Sequence, residues 1–496
     1  MMFAKDQPPG GTLRDWLDTR AEKGGPAIVF PETGDVLSWS ELRDKARAFA
    51  MGLTARGLAR RESVAIVGPN CPECVIAFYG AVYGGFRATM INLAAGHEAM
   101  SYALSHCEAR MAYVYETCLA VFDAANTTGI APLPLPEHSH GALHEIGPQD
   151  HALLMYTSGT TGRPKGVVHT HASLLAGGWT TVLAHELSPA DRGFCVLPIY
   201  HINGLCVTLM GALVSGGSLS MVGRFSASRF WAQADAAEVT WFSAVPTIIS
   251  HLLHGAHDPS ERCRSRIRFG RSASSALAIE TQSAFEKRFD VPIVETMGLT
   301  ETAAQILSNP LPPGPRKIGS PGIAFGCDVA IQGPDGTTMP VGREGEIVVR
   351  GPNVLLEYLK NPTATAETFR DGWLRTGDLA RMDADGYVFV TGRLKELIIK
   401  GGENVAPREV DEALYAHPDV IEAAAFARPC DSYGERIEAA VRLREGSTVQ
   451  ASALIDICHA RLGAFKSPDA VYFMDELPKG PSGKIQRLKL ADLIPG

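Results

Sequence analysis

The stretch that decides the fold is Tyr156-Thr157-Ser158-Gly159-Thr160-Thr161-Gly162-Arg163-Pro164-Lys165-Gly166: three glycines, four Ser/Thr residues and a lysine in eleven positions. The preceding Ala152-Leu153-Leu154-Met155-Tyr156 is short and apolar, which predicts a buried strand. Val167-Val168-His169 predicts a second strand, so the polar stretch is a tight loop at a strand end. Glycine lets the backbone take positive φ and approach a ligand closely. Successive N–H groups in such a loop form an anion-binding concavity. The hydroxyls add donors and Lys165 adds a point charge, a set suited to a polyphosphate. The G-x-x-x-x-G-K-[ST] spacing is absent and Lys165 follows Pro164, so the loop is not a Walker A loop. From composition alone, a polar surface loop is the competing reading.

Working outward, 496 residues exceed what one core holds, so at least two domains are expected. Hydrophobic residues at 45% and charged residues at 20% are ordinary for a soluble globular chain. A net charge of −8 argues against a general nucleic-acid binder and gives no membrane-surface signal. Cys195 to Gly223 contains no Asp, Glu, Lys or Arg, long enough to suggest a membrane span. Pro198, His201, Asn203 and several glycines interrupt it, so a buried strand–loop–helix–strand is expected and no span. Met1 to Gly11 has no apolar run of a secretory signal, which with ten scattered cysteines points to reduced thiols in the cytoplasm. Cys71 and Cys74 form the only CxxC and read as thiols at a helix start. His138, His140 and His144 in a Pro-rich segment are a weak compositional hint of metal binding.

Strands at Ser63–Val67 and Ala88–Leu93 flank a helix from about Glu73 to Gly85, the alternation of a parallel sheet with crossover helices. An earlier amphipathic helix begins at Ser40, which serves as its cap. Val239–Pro246 is a further strand ahead of a helix. Arg268 to Leu277 reads as a small-residue turn, and Glu344–Gly351 as a strand of a β-rich subdomain.

The loop string closely resembles the phosphate loop of the adenylate-forming superfamily, which includes acyl-CoA synthetases, luciferases and peptide-synthetase adenylation domains. Four further strings fall in that family's order. They are Pro198-Ile199-Tyr200-His201, Glu295-Thr296-Met297-Gly298-Leu299-Thr300-Glu301, Thr376-Gly377-Asp378 with Gly392-Arg393-Leu394-Lys395, and Pro481-Ser482-Gly483-Lys484. The resemblance implies an α/β architecture: a large N-terminal domain (1–394) of two mixed or parallel sheets plus a β-rich subdomain, and a small mobile α+β C-terminal domain (395–496) with its hinge at Lys395. It implies ATP, Mg2+ and coenzyme A as cosubstrates and cofactor. Thr157 to Gly162 and Lys165 would hold phosphate. Ser274, in the small-residue loop, and Glu295, Thr296, Met297 and Gly298 would face the adenosine. Met297 stands where the family usually has tyrosine, which keeps apolar contact and loses stacking. Thr300 would meet the α-phosphate, Asp378 and Arg393 the ribose or phosphate, and Thr160 and Glu301 the magnesium. Gly402 is counted among the cofactor-binding positions. By the same resemblance Lys484 would be the catalytic lysine, with Glu301 and His201 as further catalytic residues.

The activity that the resemblance implies is that of an acyl-CoA ligase: the acid forms an acyl-adenylate, and a thiol then takes the acyl group. His201, Asn203, Arg271, Gly298 and Ala304 would line the acid. The segments Arg224–Trp231 and Ser308–Gly314 look most like the small-acid branch, which includes oxalate–CoA ligases, but Asn203 and Ala304 stand where those carry histidines. A short dianionic acid is therefore expected, sulfoacetate ahead of oxalate or malonate, with medium-chain or aryl acids and carrier-protein loading as alternatives. Arg271 is either its charge partner or part of a structural ion pair. The partners expected are a small acid and CoA, with the chain a monomer or a homodimer.

Overall fold

The computed structural model describes residues 7–136, 139–157, 164–480 and 484–494. Two large sheets with buried helices between them make the body of the molecule. The first runs Glu357–Tyr358, Gly166–Thr170, His151–Tyr156, Arg87–Met90, Ser63–Val67, Met111–Val114, Ala131–Leu133; its last five strands are parallel. The second has nine strands with a parallel middle, from Ile293–Leu299 through Phe269–Ser272, Trp241–Ala244, Arg192–Cys195 and Ser218–Met221 to Pro26–Phe30. Strands buried on both faces read as continuous apolar runs, and Ser63–Val67 is buried at all five positions.

Helices Pro72–Gly84 and His171–His185 are buried nearly all round, as apolar helices enclosed by protein must be. The first stops at Gly85, whose left-handed φ of 84° closes it. Cys71 caps its start, accepting from Cys74 N–H at 3.5 Å, so both thiols are structural. An antiparallel sheet built on Asp328–Gln332, Gly345–Arg350, Trp373–Met382 and Val388–Arg393 follows. Then comes a small α+β unit around Val420–Cys430 and Gly434–Leu443, whose core is drawn from residues 398 to 471. The uncharged run 195–223 ends one strand, turns, forms the helical stretch Asn203–Ser215 and enters the strand Ser218–Met221. No described helix is long and apolar enough to cross a membrane.

The structure departs from the sequence reading locally. The cap of helix Trp39–Ala55 is Ser38, not Ser40: Ser38 Oγ accepts from Glu41 N–H at 3.2 Å while Glu41 accepts from Ser38 N–H at 2.9 Å. The strand begun at Arg87 ends at Met90, short of Leu93. The turn expected at 268–277 begins with a full strand, Phe269–Ser272. Its glycine is there for packing, because a Cβ on Gly270 would overlap the Phe242 ring of the neighbouring strand.

Gly322 has the tightest backbone constraint outside the site: φ is 93° and a Cβ would fall on the Ser308 carbonyl. Gly322→Ala should therefore lower stability by at least about 2 kcal/mol, combining left-handed strain with overpacking. A urea-unfolding midpoint within error of the parent's would contradict this.

Candidate active site

A cavity of about 1530 Å³ opens where the carboxyl ends of the parallel strands, the antiparallel sheet and the last α+β unit converge. Crevices at the carboxyl ends of parallel strands are the usual ligand sites of such sheets. One wall comes from the two ends of the polar stretch, Tyr156 and Thr157 on one side and Pro164 to Gly166 on the other. Thr157 N–H donates to the Lys165 carbonyl at 2.9 Å and Lys165 N–H to Thr157 Oγ1 at 3.4 Å, which closes its base. Ser158, Gly159, Thr160, Thr161 and Gly162 lie outside the described residues, as does His138. His144 Nε2–H donates to the Leu58 carbonyl at 3.0 Å, a structural bond.

The floor is the hairpin Ile293–Leu299 and Ala304–Ser308. Gly298 is required there, because a Cβ would sit on the Ala304 carbonyl. Thr296 Oγ1 donates to the Ser272 carbonyl at 3.3 Å. Glu295 accepts from Leu277 N–H at 3.2 Å through one oxygen. Its other oxygen is buried without a partner among the described residues, and burial raises its pKa. Ser274, at a φ of 74°, accepts from Asn203 Nδ2 at 3.2 Å.

Thr300 and Glu301 follow on a short helical turn that sequence reasoning left without support. His169 supplies it, with Nε2 2.7 Å from the Thr300 carbonyl and Nδ1 3.0 Å from Ser173 Oγ. Burial pulls its pKa down to about 4, so the ring is neutral and its Nε2–H donates. Glu301 accepts from the Tyr358 hydroxyl at 2.8 Å, and its second oxygen has no protein partner among the described residues. No three described His, Cys, Asp or Glu side chains form a metal cage. A single carboxylate open to the cavity suits Mg2+, which keeps waters and shares substrate phosphates rather than taking an all-protein cage.

Asp378 and Arg393 pair with one another, Nε to Oδ1 at 2.6 Å. Lys484 enters from the last unit, where Gly480 N–H donates to the Lys484 carbonyl at 2.7 Å and Gln486 N–H to the Pro478 carbonyl at 2.7 Å. Its side chain keeps solvent contact through the cavity. Desolvation by the surrounding walls, then the charge of Arg393, still pulls its ammonium below the ordinary lysine value, against Asp378, Glu396 and Glu301. Lys395 also lines the cavity, at its edge. Gly402 does not: it occupies the exposed turn between Ile398–Lys400 and Glu403–Val405, where a φ of 84° demands glycine.

The innermost part of the cavity surrounds Arg271, which is 1% exposed. Its Nη1 donates to Asn203 Oδ1 at 2.7 Å and Ser243 Oγ at 3.1 Å, and its Nε to Gln305 Oε1 at 3.4 Å. All three acceptors are neutral. No carboxylate pairs with the guanidinium among the described residues, so the structural ion pair is not formed. Burial lowers its pKa to about 9. Asn203 thus spends its carbonyl on Arg271 and its amide on Ser274. His201 and Ala304 also line the cavity. Gln305 and Ser243 escape a reading of the sequence because nothing local marks them.

Residues 17–359 match the AMP-binding enzyme family, and residues 409–484 match the AMP-binding enzyme C-terminal domain. The chain belongs to the AMP-binding enzymes. It is 44% identical to the sulfoacetate–CoA ligase of Cupriavidus necator, over 94% of each chain. It is 35% identical to the oxalate–CoA ligase of Arabidopsis thaliana, over 96% of this chain and 97% of that one. The crystal structure of ATP-bound MatB from Rhodopseudomonas palustris, 30% identical, superposes with a TM-score of 0.90 over 97% of this chain and 99% of its own. The apo form of the same protein gives 0.78.

A buried cation facing neutral acceptors is completed by an anion. Millimolar ethanesulfonate should therefore raise the thermal midpoint of the protein by mass action, and Arg271→Met should abolish that rise. A shift of equal size in the variant would place the anion elsewhere.

Proposed function

We propose that this protein is an ATP-dependent acyl-CoA ligase acting on a short acid that carries a second anionic group, with sulfoacetate first. The ligase class rests on the family and on the CoA-ligase relatives; the acid is our reading of the pocket. Arg271 carries it: a buried guanidinium with three neutral partners and no counter-charge among the described residues stands at the inner end of the cavity. Leaving a charge buried and unpaired costs several kcal/mol unless a ligand supplies the partner. The small side chain of Ala304 in the cavity lining suits a tetrahedral group, and the 44% identity to a sulfoacetate–CoA ligase supports the same choice. Oxalate and malonate are the nearest competitors.

In the reaction, a carboxylate oxygen attacks the α-phosphorus of ATP and pyrophosphate leaves. The CoA sulfur then attacks the acyl carbon and AMP leaves. Lys484, sharing the cavity with Arg393, Asp378 and Glu301, would bring its ammonium between carboxylate and α-phosphate and offset the charge that develops there. Lys165 and the loop from Ser158 to Gly162 would hold the leaving phosphates. Thr300 would meet the α-phosphate, and Asp378 the ribose once Arg393 yields. Magnesium, held by Glu301 and Thr160, would supply charge neutralisation on the phosphates. Ser274 and Glu295 to Gly298 would flank the adenosine, with Met297 giving apolar contact. The domain boundary is placed at Lys395, which would act as the hinge between the two half-reactions. That Lys484 lines the same cavity as Arg393, Asp378 and Glu301 supports assigning this arrangement to the first half-reaction.

Two measurements test this. Steady-state kinetics on sulfoacetate, oxalate, malonate, propionate and octanoate should give the highest kcat/KM for sulfoacetate. Arg271→Met should lower that value by about 10- to 100-fold, the worth of one or two hydrogen bonds to charge, and leave propionate nearly unchanged; a parent preference for octanoate refutes the assignment. Lys484→Ala should slow pyrophosphate release by at least about a hundredfold while thioester formation from preformed acyl-adenylate persists. Equal losses in both half-reactions would remove Lys484 from its role.

A further inference from the structure

Tyr358 reaches two parts of the phosphate end of the cavity, yet it belongs to none of the motifs that point to the chemistry. Its hydroxyl donates to Glu301 Oε1 at 2.8 Å, and Lys165 Nζ lies 4.6 Å from its ring centroid. The side chain is 5% exposed. Backbone bonds fix it on both sides. Leu355 N–H donates to the Glu301 carbonyl at 2.7 Å, Leu356 N–H to the Val168 carbonyl at 2.9 Å, and Leu359 N–H to the Gly166 carbonyl at 2.8 Å. The two-residue strand Glu357–Tyr358 registers Tyr358 opposite Val167, next to the base of the polar loop. Residues 355–359 are therefore a strap joining the Glu301 turn to the strand that leaves the loop.

We propose that Tyr358 is a positioning residue for the divalent cation. It holds one Glu301 oxygen so that the other faces the cavity, while its ring seats Lys165 beside the same polyphosphate. The inference rests on the ATP-dependent reading of the site and is independent of the identity of the acid.

The test is calorimetric titration of the full-length enzyme and Tyr358→Phe with ATP, once with excess Mg2+ and once in chelator. Phenylalanine keeps the ring, and with it the Lys165 contact, and deletes only the hydroxyl. Magnesium-dependent ATP binding should weaken by about tenfold, the size of one hydrogen bond to a charged group, while metal-free binding stays as in the parent. A purely structural role would weaken both alike, and that result, or no change in either, overturns the inference. In a Glu301→Gln background the Tyr358→Phe effect should disappear, since the hydroxyl acts through that carboxylate; an undiminished effect there also overturns it. A parent enzyme that binds no ATP with Mg2+ present would overturn the adenylation reading and this inference together. Normal parent binding with an unaltered variant overturns this inference alone.

Discussion

The site depends on the close approach of two backbones at Gly298 and Ala304. The strand Ile293–Leu299 leaves the parallel sheet, and its partner Ala304–Ser308 returns antiparallel within a few residues. Only glycine permits the contact, because any side chain at 298 would occupy the Ala304 carbonyl. Ala303 and Ala304 absorb the reversal at φ values of 44° and 80°, a conformation costly for residues with a Cβ. This tight hairpin brings Glu295, Met297, Thr300 and Glu301 to the cavity from one arm. The other arm sends Gln305 behind it to brace Arg271. Strain at a ligand-facing turn persists only where surrounding structure determines it fully. His169, Asn353 and the 355–359 strap do so from beneath, through bonds to the Thr300, Thr302 and Glu301 carbonyls.

Two kinds of electrostatic environment share the cavity. At the inner end, Arg271 faces only neutral partners. At the outer end, charges come in opposed sets: Arg393 with Asp378 at 2.6 Å, and Lys484 among Arg393, Asp378, Glu396 and Glu301. Arg487 anchors the Lys484 segment through Asp411, with Nη2 2.6 Å from Oδ2. A low-dielectric pocket strengthens each of these interactions. The inner end holds a buried cation without a counter-charge among the described residues, and the outer end holds cations and carboxylates together.

The strands that flank the polar stretch and the family are legible in the sequence because each is a local signal. Apolar runs bounded by glycine and proline mark the parallel strands. The departures are also local. Ser40 reads as a cap because it precedes the helix pattern, whereas the Ser38/Glu41 box sits two residues earlier. The small residues of 268–277 read as a turn, whereas Gly270 is small to admit a phenylalanine from the next strand. Contact between distant segments is what a sequence hides. Tyr358 meets Glu301 across 57 residues, Arg271 meets Gln305 across 34, and His169 meets Thr300 across 131. No spacing rule encodes such pairs, since they exist only once the sheets are assembled.

The Arg393–Asp378 pair has a consequence in linkage terms. Arg393 ends the strand Val388–Arg393, two residues before Lys395 and the chain's passage into the last sheet. A ligand that takes the Asp378 carboxylate competes with Arg393 for it and so bears on the constraint at that passage. Linked equilibria are reciprocal: if occupancy at Asp378 changes how freely the last unit reorients, its orientation must change the affinity at Asp378 by the same factor. If that ligand is the proposed nucleotide and Lys395 the proposed hinge, this one ion pair makes nucleotide occupancy and interdomain posture two readings of a single free energy.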